Sequence, residues 1–175
     1  MTSSFNIRRC EPTDHDRVVR LHEKAMRDVG AFDDGQTDSD LDTIQETYLQ
    51  NRGEFLVGTL DTRIIAMGAF RPATEYMSEF LADIDASTAT IKRMRVAPSF
   101  QRRGYGRQIL NELERQACER GFDELVLDTT ETQHGSQRFY ETHGFVEEHR
   151  ETISMSEKTF ELVFYRKSLH EEGIR

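Results

Sequence analysis

Apolar and charged residues alternate in the middle of the chain, and a helical pattern follows directly. Residues 90–96 alternate in this way and stop before Pro98, which has no N–H group to continue a ladder. Between residues 108 and 120 the apolar side chains share one helical face, and Gly121 stands where a helix would end. The pattern predicts a strand, a short loop and a helix, in that order.

Six more strands are predicted by alternation or by short apolar runs between turn residues. They cover residues 5–9, 54–60, 63–70, 124–129, 146–152 and 159–167. Because a helix separates the strand at 90–96 from the strand at 124–129, we expect these two to be parallel neighbours.

Helical spacing predicts three further helices. The first begins near Pro12, with acidic residues that suit the dipole of a first turn, and ends at Gly30. The others cover residues 40–51 and 136–145. Residues 73–87 mix apolar and acidic side chains and are expected to form a long connection between strands.

The loop after the strand at 90–96 combines glycine with arginine. It contains Gly104, Gly106, Arg102, Arg103 and Arg107, with Arg95 just upstream. The first turn of a helix has N–H groups without intrahelical partners and the positive end of the dipole. Glycine lets a phosphate approach the backbone, and arginine adds positive charge. The loop therefore predicts a ligand that carries phosphate groups.

Two familiar phosphate loops do not fit this stretch. There is no Gly-x-x-x-x-Gly-Lys-Ser/Thr, and Ile109 stands where a dinucleotide fingerprint has its third glycine. The residues match Gln/Arg-x-x-Gly-x-Gly/Ala after a strand, which resembles the acetyl-CoA signature of the GNAT superfamily of N-acetyltransferases. The alternative for this motif alone is a glycine-bearing connection with solvated arginines.

A second motif resembles the same family. Residues 139–145 read Phe-Tyr-Glu-x-x-Gly-Phe, and in the family the tyrosine, here Tyr140, often lies near the CoA sulfur. Gln133 stands where members often have an asparagine that contacts the cofactor. The alternative for Tyr140 is a packed helix aromatic whose hydroxyl binds a backbone carbonyl. The resemblance covers residues 5–167.

This resemblance implies a fold and a cofactor. The fold is α/β with a mixed sheet: about seven mostly antiparallel strands that splay apart between the fourth and fifth, flanked by about four helices. The loop would hold the pyrophosphate of acetyl-CoA through Gln101, Arg102, Arg103, Gly104, Tyr105, Gly106 and Arg107. Backbone groups of Met94, Arg95 and Val96 would bind pantetheine, and one N–H would polarise the thioester carbonyl.

The implied reaction is direct acetyl transfer to a primary amine, on a small molecule, a peptide N-terminus or a lysine. Tyr140 would protonate the leaving thiolate, since a tyrosine hydroxyl with an unperturbed pKa of ~10 is a suitable donor. The amine must also lose a proton, and the sequence selects no base among Glu54, Glu75, Glu79 and Asp83. A CoA-binding module without turnover, or an enzyme with another acyl donor such as succinyl-CoA, remains open.

Composition limits the partners. The chain has 175 residues, 31% of them charged, and a net charge of −9, which suits a single domain over residues 1–175 and argues against nucleic acid or anionic membranes. No apolar run spans a bilayer and no signal segment is evident, so a cytoplasmic location is expected. Cys10 and Cys118 give no metal spacing. Dimers are common in the family, so a homodimer is one assembly that the resemblance allows.

Substrate selection is expected in residues 32–42, 73–87 and 153–158, none of which has a recognisable code. The first of these stretches carries five aspartates, Asp33, Asp34, Asp38, Asp40 and Asp42. They form either a lip that attracts a positively charged amine or a solvated acidic loop with helix caps. His134 and His143, beside the second motif, are expected to be surface or capping residues.

Overall fold

The computed structural model describes residues 2–31, 38–155 and 157–170. Parts of the predicted specificity loops, namely residues 32–37 and 156, and the end of the tail, residues 171–175, lie outside the described residues. The chain divides into a first unit, Met1–Arg71 with Ile91–Arg120, and a second unit, Pro72–Thr90 with Gly121–Arg175. A single domain over residues 1–175 stays a prediction.

Seven strands and five α-helices lie within the described residues. In chain order they are β1 (Phe5–Arg9), α1 (His15–Asp28), α2 (Ser39–Asp42), β2 (Glu54–Leu60), β3 (Arg63–Pro72), α3 (Glu75–Ser78), β4 (Thr88–Val96), α4 (Tyr105–Glu119), β5 (Glu124–Thr130), α5 (His134–Thr142), β6 (Val146–Met155) and β7 (Lys158–Ser168). Short 3₁₀ turns at Pro12–Asp14 and Pro98–Phe100 precede α1 and the glycine loop. None of the described helices is both long and apolar enough to cross a membrane.

The hydrogen-bonded strand order is β1-β2-β3-β4-β5-β7-β6. The pairs β1–β2, β2–β3, β5–β7 and β6–β7 are antiparallel, and β4–β5 is parallel. The predicted mixed, mostly antiparallel sheet is confirmed, with strand ends that differ from the prediction by up to three residues. The ladder between β4 and β5 joins only Thr88–Thr90 to Glu124–Val126, although β4 continues to Val96.

The helix predicted at 40–51 is confirmed only in part, because it is not one regular helix. In its place α2 makes a single turn, and a π-helical turn follows at Gln45–Leu49. Thr43, with φ of −129°, leaves helical geometry between them, and its hydroxyl donates to the Ser39 carbonyl. A threonine side chain that bonds its own backbone in this way competes with a regular helix.

A glycine in β3 seats α4 on the sheet of the first unit. A Cβ at Gly68 would lie 2.4 Å from Met94 Sδ and 2.7 Å from Ile109 Cγ2. Ile109, Leu110 and Leu113 are fully buried on this face of α4. The missing side chain therefore lets α4 pack closely, and this packing fixes the position of the loop that precedes the helix.

Each unit has its own hydrophobic cluster. In the first unit, α1, α2 and the π-helical turn cover the sheet with buried Val18, Leu21, Leu41, Tyr48, Phe55, Val57, Ile65 and Met67. In the second unit, the connection that contains α3 packs on β5 and β7 through Met77, Leu81, Val126, Leu162 and Phe164. The connection predicted at 73–87 is thus an apolar cover with one helical turn.

Candidate functional site

The glycine loop carries two residues of left-handed backbone just before α4. Arg102 has φ of +62°, and Gly104, the N-cap residue of α4, has φ of +86°. The helix begins at Tyr105, earlier than the predicted residue 108, because the left-handed glycine brings the chain directly into the first turn. Successive N–H groups around left-handed residues form concavities that bind anions.

The first backbone amides of α4 have no hydrogen-bond partner within the helix. Gln108 makes the first intrahelical bond, its N–H donating to the Gly104 carbonyl at 3.1 Å. The N–H groups of Tyr105, Gly106 and Arg107 therefore precede the ladder and lie at the positive end of a 15-residue helix. Amides at a helix N-terminus bind phosphate groups in many proteins, and the cofactor role predicted for these three residues and Gly104 stays a prediction.

Some predicted cofactor side chains have structural contacts of their own. Gln101 Nε2 donates to the Val96 carbonyl at 3.1 Å and closes the turn after β4. The Tyr105 ring packs on Phe5 with centroids 4.5 Å apart, so its amide rather than its ring belongs to the loop's anion geometry. Arg103 lies over the Phe100 ring, 5.5 Å from the centroid.

The end of β4 offers fewer backbone acceptors than the sequence suggested. Arg95 Nη1 donates to the Met94 carbonyl at 2.8 Å, and the Val96 carbonyl accepts from Gln101. A carbonyl oxygen has two lone pairs, so each retains capacity for a second bond. The pantetheine role of Met94, Arg95 and Val96 stays a prediction.

We expect Gly104→Ala to weaken binding of coenzyme A at least tenfold, since a Cβ at the N-cap would obstruct a phosphate that approaches the amides. The same substitution should lower the unfolding free energy by about 1 kcal/mol, because alanine disfavours a left-handed backbone. Gly121→Ala is the matched control: both glycines have positive φ, +86° and +88°, and open space around a built Cβ. Calorimetry should show equal stability loss and unequal affinity, and equal affinities would contradict the loop's role.

Tyr140 and Gln133 belong to the second unit, at opposite ends of α5. Tyr140 is 8% exposed, and its ring meets Phe139 and Phe145 edge-on, with centroids 5.3 and 5.4 Å away. Gln133 is the N-cap residue of α5, and its Oε1 accepts from the Thr129 hydroxyl at 3.4 Å. Their roles in acid catalysis and cofactor binding stay predictions.

Asp128 is a candidate that the sequence analysis missed. It follows three buried apolar residues in β5 and lies two residues beyond Val126, the last β5 residue paired with β4. Burial raises the pKa of Tyr76 to about 12, and the negative charges of Asp128 and Glu79 contribute to the rise. The Asp128 carboxylate therefore lies near the Tyr76 hydroxyl. The available signal was an acid that interrupts a short apolar strand.

The carboxylates named from sequence lie in different surroundings. Glu54 is buried and forms ion pairs with Arg9 at 2.9 Å and Arg120 at 2.7 Å. Glu75, Glu79 and Asp83 are exposed on the connection between β3 and β4. His143 caps α5 through Nδ1, 2.6 Å from the Phe139 carbonyl, and His134 is exposed, as expected.

Two of the aspartates at 32–42 form neither an open lip nor a solvated loop. Asp38 Oδ1 accepts from Arg93 Nη2 at 2.9 Å, and Asp40 Oδ2 accepts from Arg93 Nε at 2.9 Å. The Tyr48 hydroxyl also donates to Asp40, at 2.6 Å. The side chains of Arg93 and Asp40 are only 13% and 17% exposed. We call Asp38, Asp40 and Arg93 the arginine clamp.

His22 borders the arginine clamp and is 3% exposed. Its Nε2 lies 3.0 Å from Asp38 Oδ2, and its Nδ1 has no hydrogen-bond partner among the described residues. Burial and the charges of Arg95 and Arg93 lower the pKa of His22, and Asp38 opposes them in part. The imidazole is therefore neutral near pH 7. Its Nε2 also lies 3.3 Å from Arg93 Nη1, so it donates to Asp38 in one tautomer and accepts from Arg93 in the other.

We expect Asp40→Asn to lower stability in a pH-dependent way. Burial alone would raise the pKa of Asp40, but Arg93 and Tyr48 lower it from 3.8 to about 2. A lowered pKa contributes stability above the unfolded value that is lost as pH falls through the folded value. Lowering this pKa from 3.8 to about 2 corresponds to roughly 2.5 kcal/mol. The difference in unfolding free energy between wild type and variant should therefore narrow by about 2 kcal/mol between pH 4 and 2.

Urea unfolding at several pH values measures this gap. Asp16→Asn is the control, because the Asp16 side chain is 83% exposed. A gap that stays constant from pH 5 to 2 would contradict the shifted pKa.

Metal and thiol chemistry find no support among the described residues. No group of three or more His, Cys, Asp or Glu side chains there could hold a metal ion. Cys10 is buried and Cys118 half-buried, and both are free thiols. Burial raises the pKa of the Cys10 thiol to about 12, so it is not a reactive thiolate.

Comparison with known proteins agrees with the predicted family. No curated protein sequence matches significantly. Among solved structures, a GNAT-family acetyltransferase of Staphylococcus aureus Mu50 has a TM-score of 0.79 at 19% identity, over 95% of this chain and 99% of that one. The yncA protein of Salmonella typhimurium, solved with acetyl-CoA, has a TM-score of 0.77 at 19% identity over 96% and 95% of the two chains.

A third structure, the ribosomal-protein-S18-alanine N-acetyltransferase of Escherichia coli, has a TM-score of 0.72 at 19% identity over 97% of each chain. At these identities the structures establish the fold alone. The model of the acetyltransferase (GNAT) family matches residues 16–145, which is more than half of the chain. The chain therefore belongs to the GNAT acetyltransferase family.

Proposed function

We propose that this protein transfers an acetyl group from acetyl-CoA to a primary amine in a ternary complex. The observation that carries the proposal is the start of α4, where a glycine stands at the N-cap and the amides of Tyr105, Gly106 and Arg107 have no intrahelical partner. The exposed side chains of Arg102 and Arg107 add charge beside them. A diphosphate matches this arrangement, and a neighbour in fold was solved with acetyl-CoA.

We propose that Asp128 accepts the proton that the acceptor amine loses. An ammonium group must lose a proton before its nitrogen can attack the thioester, and a nearby carboxylate can accept it directly or through water. Asp128 is half-buried and lies just beyond the paired part of β5. Glu54 is a poor alternative, because two arginines neutralise it.

Tyr140 is the proposed proton donor to the departing thiolate. It is buried on an amphipathic helix, among aromatic rings that hold its orientation. The rest of the rate enhancement would come from positioning the thioester and the amine in one complex. Acetyl-CoA would thus be a cosubstrate, with the diphosphate held by main-chain groups.

The experiment is release of free thiol from acetyl-CoA in the presence of amines of different classes. Small polyamines, alanine-terminated peptides and lysine peptides would be compared at equal concentration, with succinyl-CoA as an alternative donor. Amine-dependent release with at least one class would support the enzyme. Tight coenzyme A binding without release in any arm would instead favour a CoA-binding module without turnover.

A further inference from the structure

One residue within β4 has a backbone conformation that strands do not use. Arg93 has φ of +58°, whereas strand residues have φ between about −120° and −140°. Arginine disfavours this left-handed region, because its Cβ approaches the neighbouring carbonyl. Such a residue turns the peptide groups on either side away from the regular ladder, as in a bulge. The peptide group that follows belongs to Met94.

The side chain of the same residue is fixed by ion pairs. The Arg93 guanidinium donates to Asp38 and Asp40, and the Tyr48 hydroxyl donates to Asp40 in turn. Burial alone would lower the pKa of Arg93, but the two carboxylates raise it above its ordinary value, so the arginine stays charged. Charge-assisted bonds in a largely buried setting are stronger and more directional than exposed ones.

We infer that the arginine clamp is a positioning device, in which Asp38 and Asp40 hold Arg93 in its left-handed conformation and thereby aim the Met94 peptide group at the thioester. This rests on the proposed function. Local strain persists only where the surroundings over-determine it, and the ion pairs supply that constraint here. Arg93 itself need not touch the substrate, since its guanidinium is already occupied by the two aspartates.

Glycine tests this inference, because it adopts positive φ without a Cβ conflict. Asp38→Asn and Asp40→Asn are combined to remove the charges, and Arg93→Ala or Arg93→Gly is added to this background. Neither variant retains the ion pairs, so both should melt below wild type. The alanine variant should lose kcat by roughly 5- to 30-fold, which is the rate equivalent of the left-handed penalty, and the glycine variant should recover most of that loss.

Coenzyme A affinity should change by less than about threefold in both variants, because a group that acts on the developing charge affects kcat rather than binding. Arg150→Ala, which removes exposed ion pairs with Glu147 and Glu161, is the control for a general loss of charge contacts and should retain wild-type kcat.

Equal kcat in the alanine and glycine variants would overturn the inference, since the ion pairs would then act on stability alone. If the alanine variant does not fold, Asp40→Asn is compared with Asp40→Asn/Arg93→Gly, and failure of glycine to restore kcat overturns it likewise. Failure of the proposed function is separate, because it would show as wild-type protein without amine-dependent thiol release.

Discussion

Asp128→Asn should lower kcat/KM for the amine by about 10² to 10⁴, the range that a positioned general base contributes. Asparagine has nearly the same shape but cannot accept the proton. The acid limb of the pH–rate profile should shift to the pKa of the amine itself, so the rate should recover in part at high pH, where the amine is already neutral. Steady-state kinetics from pH 6 to 10 measure both effects.

Glu79→Gln is the matched control for Asp128→Asn. Both carboxylates raise the pKa of Tyr76, but Glu79 is exposed on the connection between β3 and β4. Its removal changes the local charge by the same amount without removing the proposed base. If the two variants lose activity equally, the charge near Tyr76 matters and the assignment of the base to Asp128 is wrong.

Tyr140→Phe should lower kcat by about 10² or more, since the departing thiolate would have no positioned proton donor. Binding of coenzyme A should change little, because the aromatic ring and its packing are retained. Tyr165→Phe is the control: it also removes a hydroxyl in the second unit, one that donates to Glu141 Oε1 at 3.0 Å. Similar kcat values for Tyr140→Phe and wild type would contradict the acid role.

Local patterns in the sequence predicted the strands and the glycine loop that precedes α4. Residues 54–60 contain a short apolar run between Gly53 and Asp61, and they form β2 with the predicted bounds because the residues that end the strand are adjacent to it in the chain. The start of α4 was placed too late, since the left-handed conformation of Gly104 is permitted by glycine and not required by it.

The arginine clamp could not be predicted in the same way. Asp40 and Arg93 are 53 residues apart in sequence, and no local pattern pairs an acid in a short helix with an arginine in a distant strand. The break in the helix predicted at 40–51 lies between Asp40, which accepts from Arg93, and Tyr48, which donates to Asp40, and no local pattern in the sequence shows these bonds.

Asp128 could be predicted from the sequence only in part. Its place in an otherwise apolar strand is visible in the sequence, but its meaning depends on the point where pairing with β4 ends. That point is a property of the sheet. Structure was needed to separate Asp128 from the exposed acids on the connection between β3 and β4.

The most direct test of the central claim compares ligands with and without the diphosphate. Coenzyme A and pantetheine would be titrated into the wild-type protein by calorimetry. If the amides at the start of α4 hold the diphosphate, coenzyme A should bind at least about 100-fold more tightly than pantetheine. Two charge-assisted phosphate contacts contribute roughly 3 kcal/mol or more. Equal affinities, or no binding of coenzyme A, would contradict the account.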